Sequence, residues 1–125
     1  EPCSSLKLSF KSRTIQLPKF YNGVALSSFD NLCGSAMSAL DYLTICNHIK
    51  VLFIEDIPII SQTQTDLAKR FVTLVDTLYE NRVKIICLAN EIPEKLYTNG
   101  KGSFEFERTV SRLYEMQSKD WISGI

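Results

Sequence analysis

The hydrophobic residues at the beginning of the chain alternate with polar ones, which is the period of a β-strand. A polar stretch, Lys11-Ser12-Arg13, interrupts this alternation, so residues 4–17 are predicted to form a β-hairpin or two short strands. Pro18 is expected to end the second strand, and Tyr21-Asn22-Gly23 predicts a turn before another short strand at residues 24–26. Residues 1–28 are therefore interpreted as a β-rich entrance segment.

Helical spacing of hydrophobic residues appears after this segment. Ser35 is a suitable N-cap for a helix from residue 36 to about residue 48. A second, clearer helix follows, with Thr63 or Thr65 as its expected cap and an expected ion pair between Asp66 and Arg70. Its apolar face is formed by five residues at helical spacing, namely Leu67, Phe71, Leu74, Val75 and Leu78. This periodicity predicts an amphipathic helix that packs on the core.

Two short apolar runs flank the second helix, and each is typical of a strand buried on both faces. They are Val51–Ile54 and Val83–Ala89. A helix that crosses between two such strands predicts a right-handed βαβ unit over residues 51–89, with the strands parallel. The predicted fold is therefore α/β, with the β-rich entrance followed, over residues 29–125, by a small, mainly parallel sheet with flanking helices. A short helix at residues 93–97 and a terminal helix from Arg108 to about Lys119 complete the prediction.

Composition and charge exclude several classes of protein. The 125 residues contain 14 basic and 14 acidic side chains, so no net field favours nucleic acid. No apolar run approaches the length of about 20 residues that a membrane span needs. The four cysteines form no C-x-x-C pair, and the single histidine, His48, lies outside any nucleophile motif, so neither a zinc site nor a catalytic triad is expected. Cys46 and Cys87 are expected in the core, and all four thiols, Cys3 and Cys33 included, are expected to be reduced.

The stretch VLFIED, residues 51–56, is similar to the Walker B strand of P-loop ATPases, although its two acids stand in the reverse of the usual order. Glu55 and Asp56 would lie at the carboxyl end of a parallel strand, where α/β sheets bind their ligands. Asn90 follows the next strand, at the position of a γ-phosphate sensor. The alternative interpretation is a solvated strand end and a turn-forming asparagine. The chain contains no G-x-x-x-x-G-K-[ST] loop, so by itself it is not expected to bind ATP in this way.

Arg108 and Arg112 stand four residues apart on one face of the terminal helix. Two guanidinium groups so placed are suited to phosphate, as an arginine finger or a sensor. The alternative is a network of surface ion pairs with Glu105, Glu107 and Glu115.

Carboxylates suggest one further kind of chemistry. A metal-dependent nuclease could use Asp41, Glu55, Asp56 and Asp66 if the fold brought them together, but their spacing does not show that it does. No metal site is predicted.

Four segments resemble the ZapE family of P-loop ATPases, also called AFG-one-like ATPases. They are Phe29–Gly34, Ala39–Leu43, Ala68–Glu80 and Phe104–Ser118, the last reading FEFERTVSRLYEMQS. The segments stand in the family's order and cover nearly the whole chain from Phe29. The resemblance implies that residues 29–125 are the C-terminal α/β region of such an ATPase, with the Walker A loop, the Walker B strand and the asparagine sensor lying upstream.

Several expectations follow from this resemblance. ATP and magnesium would be used by the full-length protein only, and the likeness of VLFIED to Walker B would be convergence or a trace of internal duplication. Arg108 and Arg112 would lie near the nucleotide or at a subunit interface. The partners would be the rest of the ATPase chain and a protein, either of the bacterial division ring or of the mitochondrial inner membrane. The compartment would be the cytoplasm or the mitochondrial matrix, with peripheral membrane association an option. A non-catalytic interaction domain remains the competing interpretation.

Overall fold

A five-stranded sheet in the order β1-β2-β3-β4-β5 organises the computed structural model, which describes residues 4–10 and 13–123. Its strands are β1 (Ser4–Phe10), β2 (Arg13–Tyr21), β3 (Val24–Ser28), β4 (Val51–Ile57) and β5 (Lys84–Ala89). The first two pairs of neighbours are antiparallel, whereas β3, β4 and β5 run parallel. The α/β fold and the βαβ unit are thus confirmed, and one sheet contains strands from both predicted parts of the chain. Cys3, Lys11 and Ser12 lie outside the described residues.

In the described part of the chain, five helices accompany the sheet, together with a short 3₁₀ turn at Pro93–Lys95. They are α1 (Phe29–Cys33), α2 (Ala39–Cys46), α3 (Thr65–Glu80), α4 (Ser103–Glu115) and α5 (Lys119–Ser123). Helices α1 and α3 contact the parallel strands and α2 contacts β1, while α4 packs on α3. Four of the five predicted apolar residues of α3 are buried in the core, namely Phe71, Leu74, Val75 and Leu78, and Leu67 is half-buried against it. In the described part of the chain, no helix combines the length and hydropathy required to cross a bilayer.

Several predicted element boundaries are wrong. Strand β2 continues through Pro18 to Tyr21. Proline has no amide proton to donate, but Pro18 lies where the pairing of β1 with β2 is irregular, so no hydrogen bond between the strands is required of it. The helix predicted to begin at residue 36 is α2, and it begins at Ala39 because Ser38 and Asp41 form a reciprocal capping box there. Helix α4 begins at Ser103, five residues before Arg108.

The predicted caps and ion pair of α3 are also not formed. Gln64 is the N-cap residue, and it makes no side-chain capping bond. The side chain of Arg70 does not pair with Asp66; its Nε donates to the carbonyl oxygen of Cys33 at 2.7 Å. Tyr42 donates its hydroxyl to the neighbouring carbonyl of Leu32, also at 2.7 Å. These two side chains satisfy carbonyl groups left open at the C-terminal end of α1, which ties α1, α2 and α3 together.

The prediction that β4 and β5 are buried on both faces is wrong. Leu52 and Ile54 of β4 are completely buried, but the alternate residues Val51 and Phe53 are only half-buried. Strand β5 is at the edge of the described sheet, and Cys87, predicted to lie in the core, is exposed there. The helices therefore cover one face of the parallel strands. The sequences of β4 and β5 are apolar on both faces, which is typical of strands covered on both sides, but the described residues cover only one side.

Candidate functional site

The two arginines of α4 converge on a single carboxylate of α3. Arg108 Nη2 donates to Asp76 Oδ2 at 3.1 Å, and Arg112 Nη1 donates to Asp76 Oδ1 at 2.5 Å. Arg108 and Arg112 are four residues apart and therefore lie on the same side of α4, next to its buried apolar face. From there both guanidinium groups reach α3. The side chain of Arg108 remains 60% exposed, whereas those of Arg112 and Asp76 are 22% and 25% exposed. Arg108 is thus the more accessible cation of the pair.

The ion pairs of the alternative interpretation, with Glu105, Glu107 and Glu115, are absent from the described residues, and both arginines pair with Asp76 instead. Glu115 instead accepts a hydrogen bond of 2.8 Å from the hydroxyl of Tyr79. Neither arginine makes a hydrogen bond or ion pair with Glu55, Asp56 or Asn90 within the described chain.

An aromatic–arginine stack continues from Arg112 along α3 to α5, and it consists of Arg112, Tyr79, Trp121 and Arg82. The guanidinium carbon of Arg112 lies 4.6 Å from the centre of the Tyr79 ring. That ring stacks on Trp121 with centroids 6.2 Å apart. Arg82 lies 4.6 Å from the centre of the Trp121 ring. Guanidinium groups are attracted to aromatic faces, so the stack holds two cations in fixed orientations at the α3–α4–α5 junction.

Reasoning from the sequence missed Asp76, Tyr79 and Trp121. Asp76 and Tyr79 are three residues apart on α3, within the segment Ala68–Glu80 that resembles the ZapE family. The two longest resembling segments form α3 and α4, and these helices pack on each other. An acidic residue in one of these segments and two arginines in the other are the signal that could have suggested Asp76 as their partner. Only the fold shows which face of α3 contacts which face of α4.

The hydrogen bond between Tyr79 and Glu115 is expected to make the free energy of unfolding depend on pH. Donation to this carboxylate raises the pKa of Tyr79 from its ordinary value of 10.0. Because the folded pKa is the higher one, the bond stabilises the fold fully below the unfolded pKa, and this contribution is lost as pH rises through the folded pKa. We expect the free energy of unfolding to fall above about pH 10, and to fall less steeply in Tyr79→Phe.

Denaturant unfolding followed across this pH range would measure the effect. Tyr21→Phe is the control, since the Tyr21 hydroxyl has no hydrogen-bond partner in the described chain. Equal slopes for Tyr79→Phe and the parent protein would contradict the prediction.

The acids of VLFIED and Asn90 lie at the carboxyl ends of neighbouring strands, as predicted. The backbone N–H of Asn90 donates to the carbonyl oxygen of Ile57 at 3.0 Å, and this bond joins the ends of β4 and β5. Asp56 is exposed and has φ of 60°, at an irregularity in the β4–β5 pairing, and Asp is among the few non-glycine residues that tolerate this conformation. Glu55 is half-buried and Asn90 is exposed. The three residues share one end of the sheet.

The residues beyond β4 do not fit a nucleotide. A phosphate-binding loop joins a strand to a helix through glycines whose backbone N–H groups surround the phosphates. The corresponding connection from β4 to α3, residues 58–64, reads PIISQTQ and contains no glycine. These residues therefore provide no phosphate cradle for ATP.

The carboxylates of the nuclease alternative do not form a metal-binding group. Asp41 is buried in the capping box of α2, where it accepts from the backbone amide of Ser38 at 2.8 Å. Within residues 4–10 and 13–123, no three His, Cys, Asp or Glu side chains are close enough together to hold an ion. The alternative thus gains no support from the described fold.

Comparison with known proteins identifies the family. The sequence profile of the AFG1-like ATPase family matches residues 1–124. The chain belongs to the AFG1-like ATPase family. No solved structure shows significant similarity to it.

Three curated relatives illustrate the family. The cell division protein ZapE of Escherichia coli K12 is 31% identical over 95% of this chain and 32% of its own length. An uncharacterized protein of Schizosaccharomyces pombe is 31% identical over 98% of the chain and 33% of its length. Lactation elevated protein 1 homolog B of Danio rerio is 29% identical over 94% of the chain and 30% of its length. The chain thus spans about a third of the AFG1-like proteins that it matches.

Proposed function

We propose that this chain is the C-terminal portion of an AFG1-like ATPase whose ATP and magnesium are bound at a Walker A/B site outside these 125 residues. The observation that carries the proposal is the family match over residues 1–124 in a chain that lacks a phosphate-binding loop. The relatives are about three times as long, which leaves room for such a site elsewhere. In this proposal, ATP hydrolysis is a property of the full-length protein and not of this portion alone.

The role we propose for Arg108 and Arg112 is to present positive charge at the nucleotide or at a subunit interface. Their geometry supports this role, because Asp76 neutralises only one of the two charges and Arg108 remains largely exposed. Arg112 is held by both Asp76 and the Tyr79 ring. Side chains fixed in this way are oriented before a phosphate arrives, which is the condition for electrostatic stabilisation at low reorganisation cost.

The arginines can be tested in the full-length protein. We expect Arg108→Ala and Arg112→Ala each to lower the rate of ATP turnover by about a hundredfold or more, the order of the smaller effects of groups that stabilise transferring phosphate. Arg82→Ala is the matched control, since Arg82 belongs to the same stack but lies on Trp121. Turnover and oligomeric state would be measured together. If both stay unchanged in the two test variants, the arginines only join α3 to α4.

Coupling to a protein partner is also part of the proposal. One relative is named as a cell division protein, so a division-ring protein is one partner to test, and an inner-membrane protein is the other. The corresponding compartments are the bacterial cytoplasm and the mitochondrial matrix, with peripheral contact to the inner membrane. A non-catalytic interaction domain is the second candidate, and it is favoured by the engagement of both arginines within the chain. Unchanged turnover in the arginine variants would favour this second candidate.

A further inference from the structure

Within the residues that the structure describes, the sheet has an uncovered apolar face, which we name the open sheet face. It is formed by the side chains that alternate with the buried ones on the central strands, namely Tyr21, Val24, Leu26, Val51, Phe53 and Ile86. Strand register aligns Val24 with Val51, and Leu26 with Phe53, which in turn is aligned with Ile86. These six residues therefore form one continuous patch across four strands, with Lys19 and Lys84 at its margins.

The exposed fractions show that this patch is not part of the core. Tyr21 is 50% exposed, Val24 38% and Ile86 43%, while Leu26, Val51 and Phe53 are half-buried. On the opposite face, Ala25, Leu52 and Ile54 are completely buried under the helices. Parallel strands normally have both faces covered, because their sequences are apolar on both sides. The described residues provide only one of the two layers.

Strand β5 is uncovered in a second way. It pairs with β4 on one side, and no described strand pairs with its other side. Leu88 is 57% exposed on this strand, beside Ile86. Edge strands are usually protected by charged residues, proline or bulges, yet the sequence KIICLA has one lysine, at its beginning. A groove of about 560 Å³ adjoins the strand and is lined in part by Ile85, Cys87, Leu113 and Met116.

We propose that the open sheet face and the free edge of β5 bind the remaining part of the AFG1-like chain. This proposal rests on the proposed function, since it assigns the occupant to the portion that carries the phosphate-binding loop. Relatives with about two-thirds of their length outside the matched region supply enough chain for the missing layer. A phosphate-binding loop is itself a strand–loop–helix unit, so that portion contains apolar strands and helices of the required kind. A strand added parallel to β5 would extend the sheet, and helices would cover its open face.

A second copy of the chain is the competing occupant. It would cover the same apolar residues by symmetric contact between two open sheet faces or two β5 edges. In such a dimer, the open sheet face or the β5 edge would already be buried in the isolated chain. In the proposal, these surfaces are buried only by the rest of the polypeptide. Hydrogen exchange separates the two occupants, because only the proposal requires β5 to be protected in the full-length protein and open in the isolated chain.

The test compares amide hydrogen exchange in these 125 residues alone and in the full-length protein that contains them. We expect β5 amides to exchange at least about tenfold more slowly in the full-length protein. Leu88→Lys in the full-length protein should restore fast exchange in β5 and lower the melting temperature. The matched control is Leu40→Lys, which introduces the same change at a leucine of α2 that is 52% exposed, against 57% for Leu88, and it should alter neither measurement.

Two results would overturn the proposal. One is equally fast exchange of β5 in both proteins. The other is slow exchange in both, with the isolated chain sedimenting as a dimer, which would assign the surface to a second copy. An ATPase assay on the same full-length sample tests the proposed function separately. Protected β5 amides in a protein that does not hydrolyse ATP would refute the proposed activity and leave the docking surface standing.

Discussion

Replacing Phe106 with alanine is expected to lower the free energy of unfolding by about 3–5 kcal/mol, the usual cost of removing a buried aromatic side chain. Phe106 is 1% exposed and lies between two other rings. Its centroid is 6.1 Å from that of Phe71 on α3 and 5.6 Å from that of Tyr97. Truncation would therefore remove both the transfer free energy of the ring and the packing that joins α4 to α3. Denaturant-induced unfolding would measure this change.

The same helix offers a matched control. Phe104 stands two residues earlier in the same FEFERTVSRLYEMQS segment, but it is 80% exposed. Phe104→Ala is expected to change the stability by no more than about 0.5 kcal/mol, as exposed substitutions usually do. The same substitution at two nearby phenylalanines thus separates burial from helix propensity. Similar losses at both positions would show that α4 is not oriented as described.

The second large effect is expected at Trp121. This residue is 4% exposed in α5 and lies between the Tyr79 ring and the Arg82 guanidinium. Trp121→Ala should lower the free energy of unfolding by about 3–5 kcal/mol, because it leaves a cavity and removes the ring from the aromatic–arginine stack. Calorimetric and denaturant unfolding of the variant would measure the loss.

Trp121→Phe provides a finer comparison. The indole Nε1 is buried without a hydrogen-bond partner in the described chain, so a phenyl ring would keep much of the stacking and remove an unsatisfied donor. We expect this variant to lose much less stability than Trp121→Ala. Ile122→Ala is the neighbouring control, because Ile122 is 48% exposed. A loss in Trp121→Phe as large as that in Trp121→Ala would show that the indole makes a contact that phenyl cannot replace.

The candidate site was only partly predictable. The spacing of Arg108 and Arg112 was sufficient to place both on one face of α4, because a helix brings residues four apart together regardless of its surroundings. Their common partner Asp76 lies more than thirty positions away in sequence, on a different helix. Which glutamate or aspartate an arginine meets depends on the packing of α4 on α3. The ion-pair alternative drawn from local charge spacing therefore named the wrong acids, Glu105, Glu107 and Glu115.

The hydrophobic pattern by itself determined the α/β class, the parallel β4–α3–β5 unit and the buried face of α3, because period and crossover geometry are local properties. It could not determine which face of each strand is covered. An apolar run such as VKIICLA has the same pattern whether its second layer lies in this chain or elsewhere, so Cys87 and Ile86 were expected to be buried and are exposed. Burial depends on contacts between elements distant in sequence. The tertiary structure alone decided that, among the described residues, β5 is a free edge and one face of the sheet is open, and that Asp76 pairs with both arginines.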